Sequence, residues 1–318
     1  MNYRNVGKSG LKISEISLGG WLTYGGSVDA AKTAPIVQRA LDQGVNFIDL
    51  ADVYSGGKAE EVIGEVIKDM TRSDLVISSK LFWPMTENVN NRGLSRKHIM
   101  ESCEKSLKRL GTDYLDIYFC HRYDEEVQEE ETARAMDDLV HQGKVLYWGT
   151  SVWRADKIER MVGVSEKYNL YKPSVEQPRY NMLDRHIETD VMASCRKHGI
   201  GLVVWSPLCQ GILTGKYNDG KPEGSRGATT KWLKNELNDE NIEKVKKLTE
   251  LAKSLDISMS QLALAWILRR PEISCAIIGA TKPEQVDDNL KASDIRLNEE
   301  TLKEIEKILD NKPEVPWQ

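Results

Sequence analysis

Four side chains suited to proton transfer follow three consecutive apolar segments of the chain: Asp49, Tyr54, Lys80 and His121. A free tyrosine ionises near pH ~10, so its use as a proton donor near neutral pH requires its phenolate to be stabilised by roughly 4 kcal/mol. A lysine ammonium about 4 Å away supplies about that much at an effective dielectric of about 20, and a neighbouring carboxylate keeps the lysine charged. With His121 donating to a carbonyl oxygen, these residue types predict general acid chemistry on a carbonyl compound.

Each of these residues, taken alone, also has a simpler interpretation. Asp49 and Lys80 could form a structural ion pair, Tyr54 could be a half-buried packing residue, and His121 could be a satisfied histidine at the rim of the fold. Lys80 could also be the Schiff-base nucleophile of an aldolase-like enzyme, although Asp49 would keep its amine charged. Four suitable residue types at three consecutive strand ends favour the catalytic interpretation.

Short apolar strands that alternate with longer amphipathic helices must position these residues. After a hairpin around residues 6–11, we predict strands at 16–19, 46–50, 75–80, 114–120, 145–151, 174–177, 201–205 and 276–279. Helices are predicted between them at 30–42, 59–68, 96–110, 133–141, 157–167 and 187–198, with further helices at 241–255, 258–269, 284–292 and 299–310. Eight evenly spaced strands favour one α/β domain over residues 1–318, a closed (β/α)8 TIM barrel, over an open doubly wound sheet.

Phosphate groups in such barrels are often held by the loops after strands seven and eight. Residues 206–216 and 279–285 occupy these places, and Lys216, Arg226 and Lys282 would add positive charge. Thr281 to Glu284 also fits a helix capping box, which would explain that segment without a ligand. The chain has neither the Gly-x-Gly-x-x-Gly fingerprint nor a Walker motif, so a Rossmann site is not expected.

Composition excludes several classes of protein. Hydrophobic residues make up 40% and charged residues 29% of the chain, which excludes general disorder, and the net charge of −5 gives no attraction for nucleic acid. The longest apolar stretches, such as 262–268, are too short for a spanning helix of about 20 residues, so membrane insertion is not expected. Five scattered cysteines indicate reduced thiols in the cytoplasm, and dispersed histidines predict no metal site.

Eight segments together resemble one known family. They are 17–21 (SLGGW), 46–54 (NFIDLADVY), 77–80 (ISSK), 107–110 (LKRL) leading into Asp116, 143–151 (GKVLYWGTS), 176–177 (EQ), 205–208 (WSPL) and 279–289 (GATKPEQVDDN). The chain resembles the aldo-keto reductases, and within them the branch of the voltage-gated potassium channel β subunits and their microbial reductase relatives. The resemblance covers nearly the whole sequence.

The resemblance implies an NADPH-dependent oxidoreductase that reduces a small aldehyde or ketone to an alcohol, with weaker use of NADH. It places the proton donor on Tyr54, its tuning on Lys80 and Asp49, and substrate orientation on His121. Cofactor contacts would fall on Gly20, Trp21, Asp49, Ser151, Gln177, Trp205, Ser206, Pro207, Leu208, Gly211, Lys216, Arg226, Gly279, Thr281, Gln285, Asp288 and Asn289. Side chains expected at the substrate pocket are Trp21, Tyr24, Trp83 and Arg122, although such aromatic residues are equally often plain packing.

Three positions differ from patterns within that family. The channel β subunits usually carry asparagine where this chain has His121, which favours a working reductase over a regulatory subunit with little turnover. Val152 replaces an arginine of those subunits, and Gln285 stands where many other reductases carry arginine. Branch members form tetramers and larger rings, so a homo-oligomer is expected. A nucleotide-binding regulatory protein that docks on a membrane channel is the alternative hypothesis.

Overall fold

Eight parallel strands form a closed barrel in the part of the chain that the structure describes, a computed structural model covering residues 1–21, 24–25, 30–229, 233 and 235–313. The described strands are β1 (Tyr3–Asn5), β2 (Lys12–Ser14), β3 (Ile16–Gly19), β4 (Phe47–Asp49), β5 (Val76–Leu81), β6 (Leu115–Cys120), β7 (Val145–Ser151), β8 (Val175–Gln177), β9 (Gly201–Val204) and β10 (Ile273–Ile278). Around the barrel each strand pairs with the next in the chain from β3 to β10, and β10 closes the circle on β3.

Helices connect the strands. They are α1 (Ala30–Asp42), α2 (Lys58–Ile67), α3 (Arg96–Leu110), α4 (Glu129–His141), α5 (Ala155–Lys167), α6 (Val191–His198), α7 (Arg226–Thr229), α8 (Asp239–Ser254), α9 (Met259–Leu268), α10 (Pro283–Leu290) and α11 (Glu299–Leu309). The predicted (β/α)8 barrel is therefore confirmed, together with its N-terminal hairpin and the extra helices before the last strand and at the C-terminal end.

The predicted element boundaries differ from the observed ones at a few ends. Helix α4 begins at Glu129, four residues before the predicted start, because three glutamates in its first turn favour the positive end of the helix dipole. Helix α6 begins only at Val191, since a separate 3-10 turn, His186–Glu188, occupies the start of the predicted helix. Strand β10 begins three residues early, at Ile273.

Alternating side chains fill the inside of the barrel. Phe47, Val76, Phe119 and Val175 form one buried cluster, whereas their chain neighbours belong to the larger core between the strands and the helices. This two-residue period is what a strand with two buried faces requires.

The N-terminal hairpin closes one end of the barrel. Its strands β1 and β2 pair antiparallel, and Val6 and Ile13 belong to the interior cluster of the barrel. Backbone approach is close here: a Cβ added to Gly201 would lie 2.4 Å from the backbone nitrogen of Gly7. Arg4 holds the hairpin in place through an ion pair with Glu15 and hydrogen bonds to three backbone carbonyls near β10.

Two absences concern the described residues only. No helix among them is long and apolar enough to span a membrane. No group of three or more His, Cys, Asp or Glu side chains among them is arranged to hold a metal ion.

Glu176 of β8 is a carboxyl group buried on the outer side of the barrel wall. Its two oxygens accept hydrogen bonds from Thr150 Oγ1 (2.5 Å) and from the backbone nitrogen of Trp153 (3.2 Å). Burial raises the pKa of Glu176 to about 7, so the folded protein retains a proton there that an unfolded chain releases at lower pH.

Gly149 of β7 should be difficult to replace. An added Cβ would lie 2.4 Å from the Val175 carbonyl oxygen and 3.0 Å from a Phe119 ring carbon. We expect Gly149→Ala to lower the free energy of unfolding by about 1–3 kcal/mol through overpacking. Gly163 of α5 is the matched control, since an added Cβ meets nothing within 4 Å. Gly163→Ala should raise stability by about 0.5–1 kcal/mol. Urea denaturation of both variants measures this, and equal effects would contradict it.

The buried carboxyl of Glu176 should make stability depend on pH. Between about pH 4.5 and 7 the unfolded chain loses this proton and the folded protein keeps it, so the free energy of unfolding falls as pH rises through that window. The total loss from this group is at most about 3 kcal/mol.

Glu176→Gln mimics the protonated carboxyl and should flatten the slope when urea denaturation is repeated across this pH range. A residual slope is expected from Asp52, whose pKa burial also raises to about 7. An unchanged slope in Glu176→Gln would show that Glu176 is ionised in the folded protein.

Candidate active site

The predicted catalytic residues lie at one end of the barrel and share the inward-facing period of the strands. Asp49 is two residues after Phe47, Lys80 four after Val76, and His121 two after Phe119, and these three reference residues belong to the interior cluster. Because parallel strands end at the same edge, this spacing brings the three polar side chains to the carboxyl end of the barrel.

The ammonium group of Lys80 lies at the centre of the site. Its Nζ donates to Asp49 Oδ2 (2.7 Å), to the Leu50 carbonyl oxygen (2.6 Å) and to the Tyr54 hydroxyl oxygen (3.2 Å). All three ammonium protons therefore have acceptors, although the side chain is fully buried. Burial lowers the pKa of Lys80, and the carboxylate of Asp49 opposes that effect.

Asp49 is itself held in one orientation. Its Oδ1 accepts hydrogen bonds from Ser78 Oγ (2.8 Å) and from Gln177 Nε2 (2.9 Å), which leaves Oδ2 directed at Lys80. Sequence reasoning missed the role of Ser78. Its signal was available, because Ser78 lies two residues before Lys80 and therefore shares its face of β5.

Tyr54 begins a 3-10 turn, Tyr54–Gly57, after β4. The turn is tight, with left-handed backbone at Ser55 (φ 50°), and Ser55 Oγ donates to the Tyr24 carbonyl oxygen at 3.3 Å. Burial, followed by the negative charge of Asp49, raises the pKa of Tyr54 well above its usual value. The sequence argument expected the opposite direction because it counted the attraction of Lys80 but not the loss of hydration.

His121 faces Tyr54 across the mouth of the site, with 6.0 Å between ring centroids and the rings nearly perpendicular. Burial lowers the pKa of His121 well below its usual value, and the positive charges of Lys80 and Arg122 lower it further. The imidazole is thus neutral near pH 7. Its Nδ1 is buried without a hydrogen-bond partner among the described residues.

Two of the three predicted pocket aromatics, Trp83 and Trp21, lie near this mouth, together with the predicted cofactor residue Trp205. Trp83 packs against His121 at 6.4 Å between centroids and is 38% exposed, while Trp21 and Trp205 form an edge-to-face pair at 5.9 Å. Tyr24 differs, because its side chain is fully buried in the hydrophobic core. The ring of Tyr24 is therefore not exposed at the mouth of the site.

The segment after β9 contains four residues with left-handed backbone. Ser206, Cys209, Gln210 and Gly211 have left-handed backbone, with φ values of 55°, 46°, 52° and 103°. Ser206 Oγ and Gln210 Oε1 are buried and have no hydrogen-bond partner among the described residues. Consecutive amides in such turns form a concavity suited to anions.

Other predicted cofactor residues border this turn or the strand ends beside it. A Cβ on Gly211 would lie 2.8 Å from Lys216 Nζ, and the φ of Gly211 (103°) lies in the region that favours glycine. Ser151 Oγ donates to the Gln177 carbonyl oxygen (3.0 Å), which ties the ends of β7 and β8 together. Gly20, Pro207, Leu208 and Arg226 are buried or half-buried near the same ends.

The segment after β10 leads into α10. Helix α9 contacts both α10 and the 3-10 turn Cys209–Thr214. Gln285 Oε1 accepts from the Thr281 backbone nitrogen (2.8 Å), and Asp288 accepts from Ser258 and Gln261 of the adjoining helix start. Gly279 is exposed and Asn289 is buried.

The predicted capping box of Thr281 and Glu284 is wrong. Lys282 is the N-cap of α10, without a side-chain cap, because Thr281 bonds Gln285 instead.

Comparison with known proteins agrees with this geometry. The model of the aldo/keto reductase family matches residues 15–310. A probable voltage-gated potassium channel subunit beta of Arabidopsis thaliana is 44% identical over 99% of both chains. A protein of the same name from Oryza sativa subsp. japonica is 43% identical over 98% of both, and a putative subunit beta of Schizosaccharomyces pombe is 45% identical over 98% of this chain and 94% of its own. The chain belongs to the aldo/keto reductase family.

Proposed function

We propose that this protein is an NADPH-dependent oxidoreductase that reduces a small aldehyde or ketone to the alcohol. The observation that carries the proposal is the Lys80 ammonium, which donates at once to Asp49, to the Leu50 carbonyl and to the Tyr54 hydroxyl. A structural ion pair alone would not need the third contact, which directs a buried cation at the oxygen of a potential proton donor.

Tyr54 is the general acid in this proposal. Its phenol is protonated near neutral pH, so a proton is available for the carbonyl oxygen as negative charge develops there. Because burial and Asp49 raise its pKa, the phenolate must be stabilised when that proton leaves. Once the proton leaves, Lys80 Nζ, 3.2 Å away, stabilises the phenolate that remains. Asp49 keeps Lys80 in place and charged, and so acts through Lys80.

His121 positions the carbonyl. The neutral imidazole faces Tyr54 and can donate one hydrogen bond without offering a second acidic proton. The positive charge of Lys80 lies nearby and disfavours imidazolium. We therefore assign orientation of the carbonyl oxygen to His121 and proton transfer to Tyr54.

The residues after β9 fit a dinucleotide cofactor. Ser206 Oγ, which is buried without a partner among the described residues, would donate a hydrogen bond to a pyrophosphate, and the left-handed backbone at residues 209–211 with Lys216 beside Gly211 would complete its site. When bound, the cofactor supplies the hydride for reduction. Trp205 would stack on the nicotinamide, Gln177 and Ser151 would hold its amide, and Arg226 with Thr281 and Gln285 would favour NADPH over NADH.

A regulatory role is the second candidate, because curated relatives of 43–45% identity are named as channel subunits beta. Such a protein would bind nucleotide, dock on a membrane partner and turn over slowly. Both candidates agree with a cytoplasmic homo-oligomer built from one domain of residues 1–318, which we include in the proposal. Schiff-base chemistry at Lys80 has less support, since Asp49 holds the amine as a charged donor.

Tyr54→Phe tests the assignment of the acid. Loss of the hydroxyl should lower kcat/KM for a neutral aldehyde such as benzaldehyde by about 10²–10⁴, while NADPH affinity stays nearly unchanged. Tyr123→Phe is the control, because this tyrosine donates to Glu129 outside the barrel and should keep its rate. Steady-state NADPH oxidation measures both variants, and a Tyr54→Phe enzyme with the rate of the unmodified protein would refute the assignment.

Nucleotide titration tests the cofactor separately from turnover. Stacking on Trp205 should quench tryptophan fluorescence on addition of NADPH, with a higher dissociation constant for NADH. Trp205→Phe should remove most of the quench. The control Trp148→Phe removes a tryptophan buried on the outer side of the wall and should retain it. Failure of both nucleotides to bind would sink the reductase proposal and return the Asp49 and Lys80 pair to a structural role.

A further inference from the structure

Arg122 lies at the mouth of the candidate site, directly after His121. Its guanidinium is half-buried, with Cζ 5.6 Å from the ring centroid of Trp83, and it donates to the His121 carbonyl oxygen. The same positive charge lowers the pKa of His121 and acts on Tyr54 in the same direction. Arg122 is therefore close to the residues that would face the substrate carbonyl.

No carboxylate among the described residues forms an ion pair with Arg122, although its own loop is acidic. Three acidic side chains near it have other partners: Asp124 accepts from the backbone nitrogens of Leu94 and Glu126, Glu125 pairs with Lys157, and Glu129 at the start of α4 pairs with Arg160. The positive charge of Arg122 is thus left uncompensated beside the mouth.

Among the described residues, Glu176 is the one carboxyl group whose charge raises the pKa of Arg122. The phenol of Tyr54 acts in the same direction. Glu176 does not neutralise the guanidinium, because its oxygens are taken up by Thr150 and the Trp153 backbone nitrogen. Its pKa of about 7 also leaves it protonated for a large fraction of the time at neutral pH. A half-buried cation without a neighbouring negative charge favours the binding of an anionic ligand from solution.

Building on the proposed function, we propose that Arg122 selects the substrate class by binding the carboxylate of an aldehyde or ketone whose carbonyl faces Tyr54 and His121. A guanidinium presents two parallel N–H donors that match a carboxylate. Trp83, 38% exposed beside it, offers a flat apolar surface for the carbon skeleton between the two functional groups. The preferred substrates are therefore anionic carbonyl compounds with an apolar spacer.

A matched pair of aldehydes isolates the charge. 4-Formylbenzoate and 4-formylbenzamide have nearly the same shape and differ in one charge, and the 3-formyl pair allows for a different reach. We expect the unmodified protein to show a kcat/KM at least about tenfold higher for the carboxylate in one of the two pairs. In Arg122→Gln that ratio should fall to about one, and Arg122→Lys should retain part of it. The ratio cancels effects of the substitution on both substrates.

Arg92→Gln is the control, since it removes an exposed arginine from the neighbouring β5 to α3 loop. It should leave the carboxylate preference intact, which separates direct binding from general electrostatic attraction. Ratios near one for both pairs in the unmodified protein would overturn the inference. So would a preference that survives in Arg122→Gln or disappears in Arg92→Gln.

The failure of this inference can be told from failure of the proposed function. Turnover of neutral benzaldehyde with no carboxylate preference would leave the reductase proposal standing and remove the role of Arg122. If no aldehyde is reduced, calorimetric titration with terephthalate and terephthalamide in the presence of NADPH tests the anion site by binding alone. Tighter binding of terephthalate that Arg122→Gln abolishes would support the site, and equal binding of the two would remove it.

Discussion

A fully buried ammonium group is the constraint on which the rest of the site depends. Removing Lys80 from water is costly unless each of its protons finds an acceptor, and Asp49, the Leu50 carbonyl and Tyr54 provide three. Asp49 in turn needs Ser78 and Gln177 to hold its second oxygen. Elements β4, β5 and β8 must therefore meet at one edge, and a closed barrel places them there.

The electrostatics of the mouth follow from the same centre. Lys80 and Arg122 both disfavour a charged His121, and burial acts in the same direction, so the histidine remains a neutral donor. Burial and the charge of Asp49 disfavour ionisation of Tyr54, and the Lys80 ammonium donates a hydrogen bond to its hydroxyl oxygen. In the reaction we propose, this arrangement separates the group that gives the proton from the groups that orient the carbonyl.

Much of the fold could be predicted from the sequence because the barrel strands are short, mainly apolar segments and the connections between them are helical. The four residues Asp49, Tyr54, Lys80 and His121 could be grouped because each lies at the end of a strand or follows it by a short turn. The burial of Tyr24 and the direction of the Tyr54 pKa shift could not be predicted, because both depend on how loops cover the end of the barrel. Ser78 was not predicted because a serine in a buried strand does not by itself indicate a functional role.

The hairpin of β1 and β2 has a consequence for the order of events at the site. Val6 and Ile13 join the apolar cluster that fills the barrel, so the described residues leave access from the carboxyl end of the strands. In the reaction that we propose, cofactor and substrate would both enter and leave by this end. The one that is bound deeper would then have to bind first and leave last.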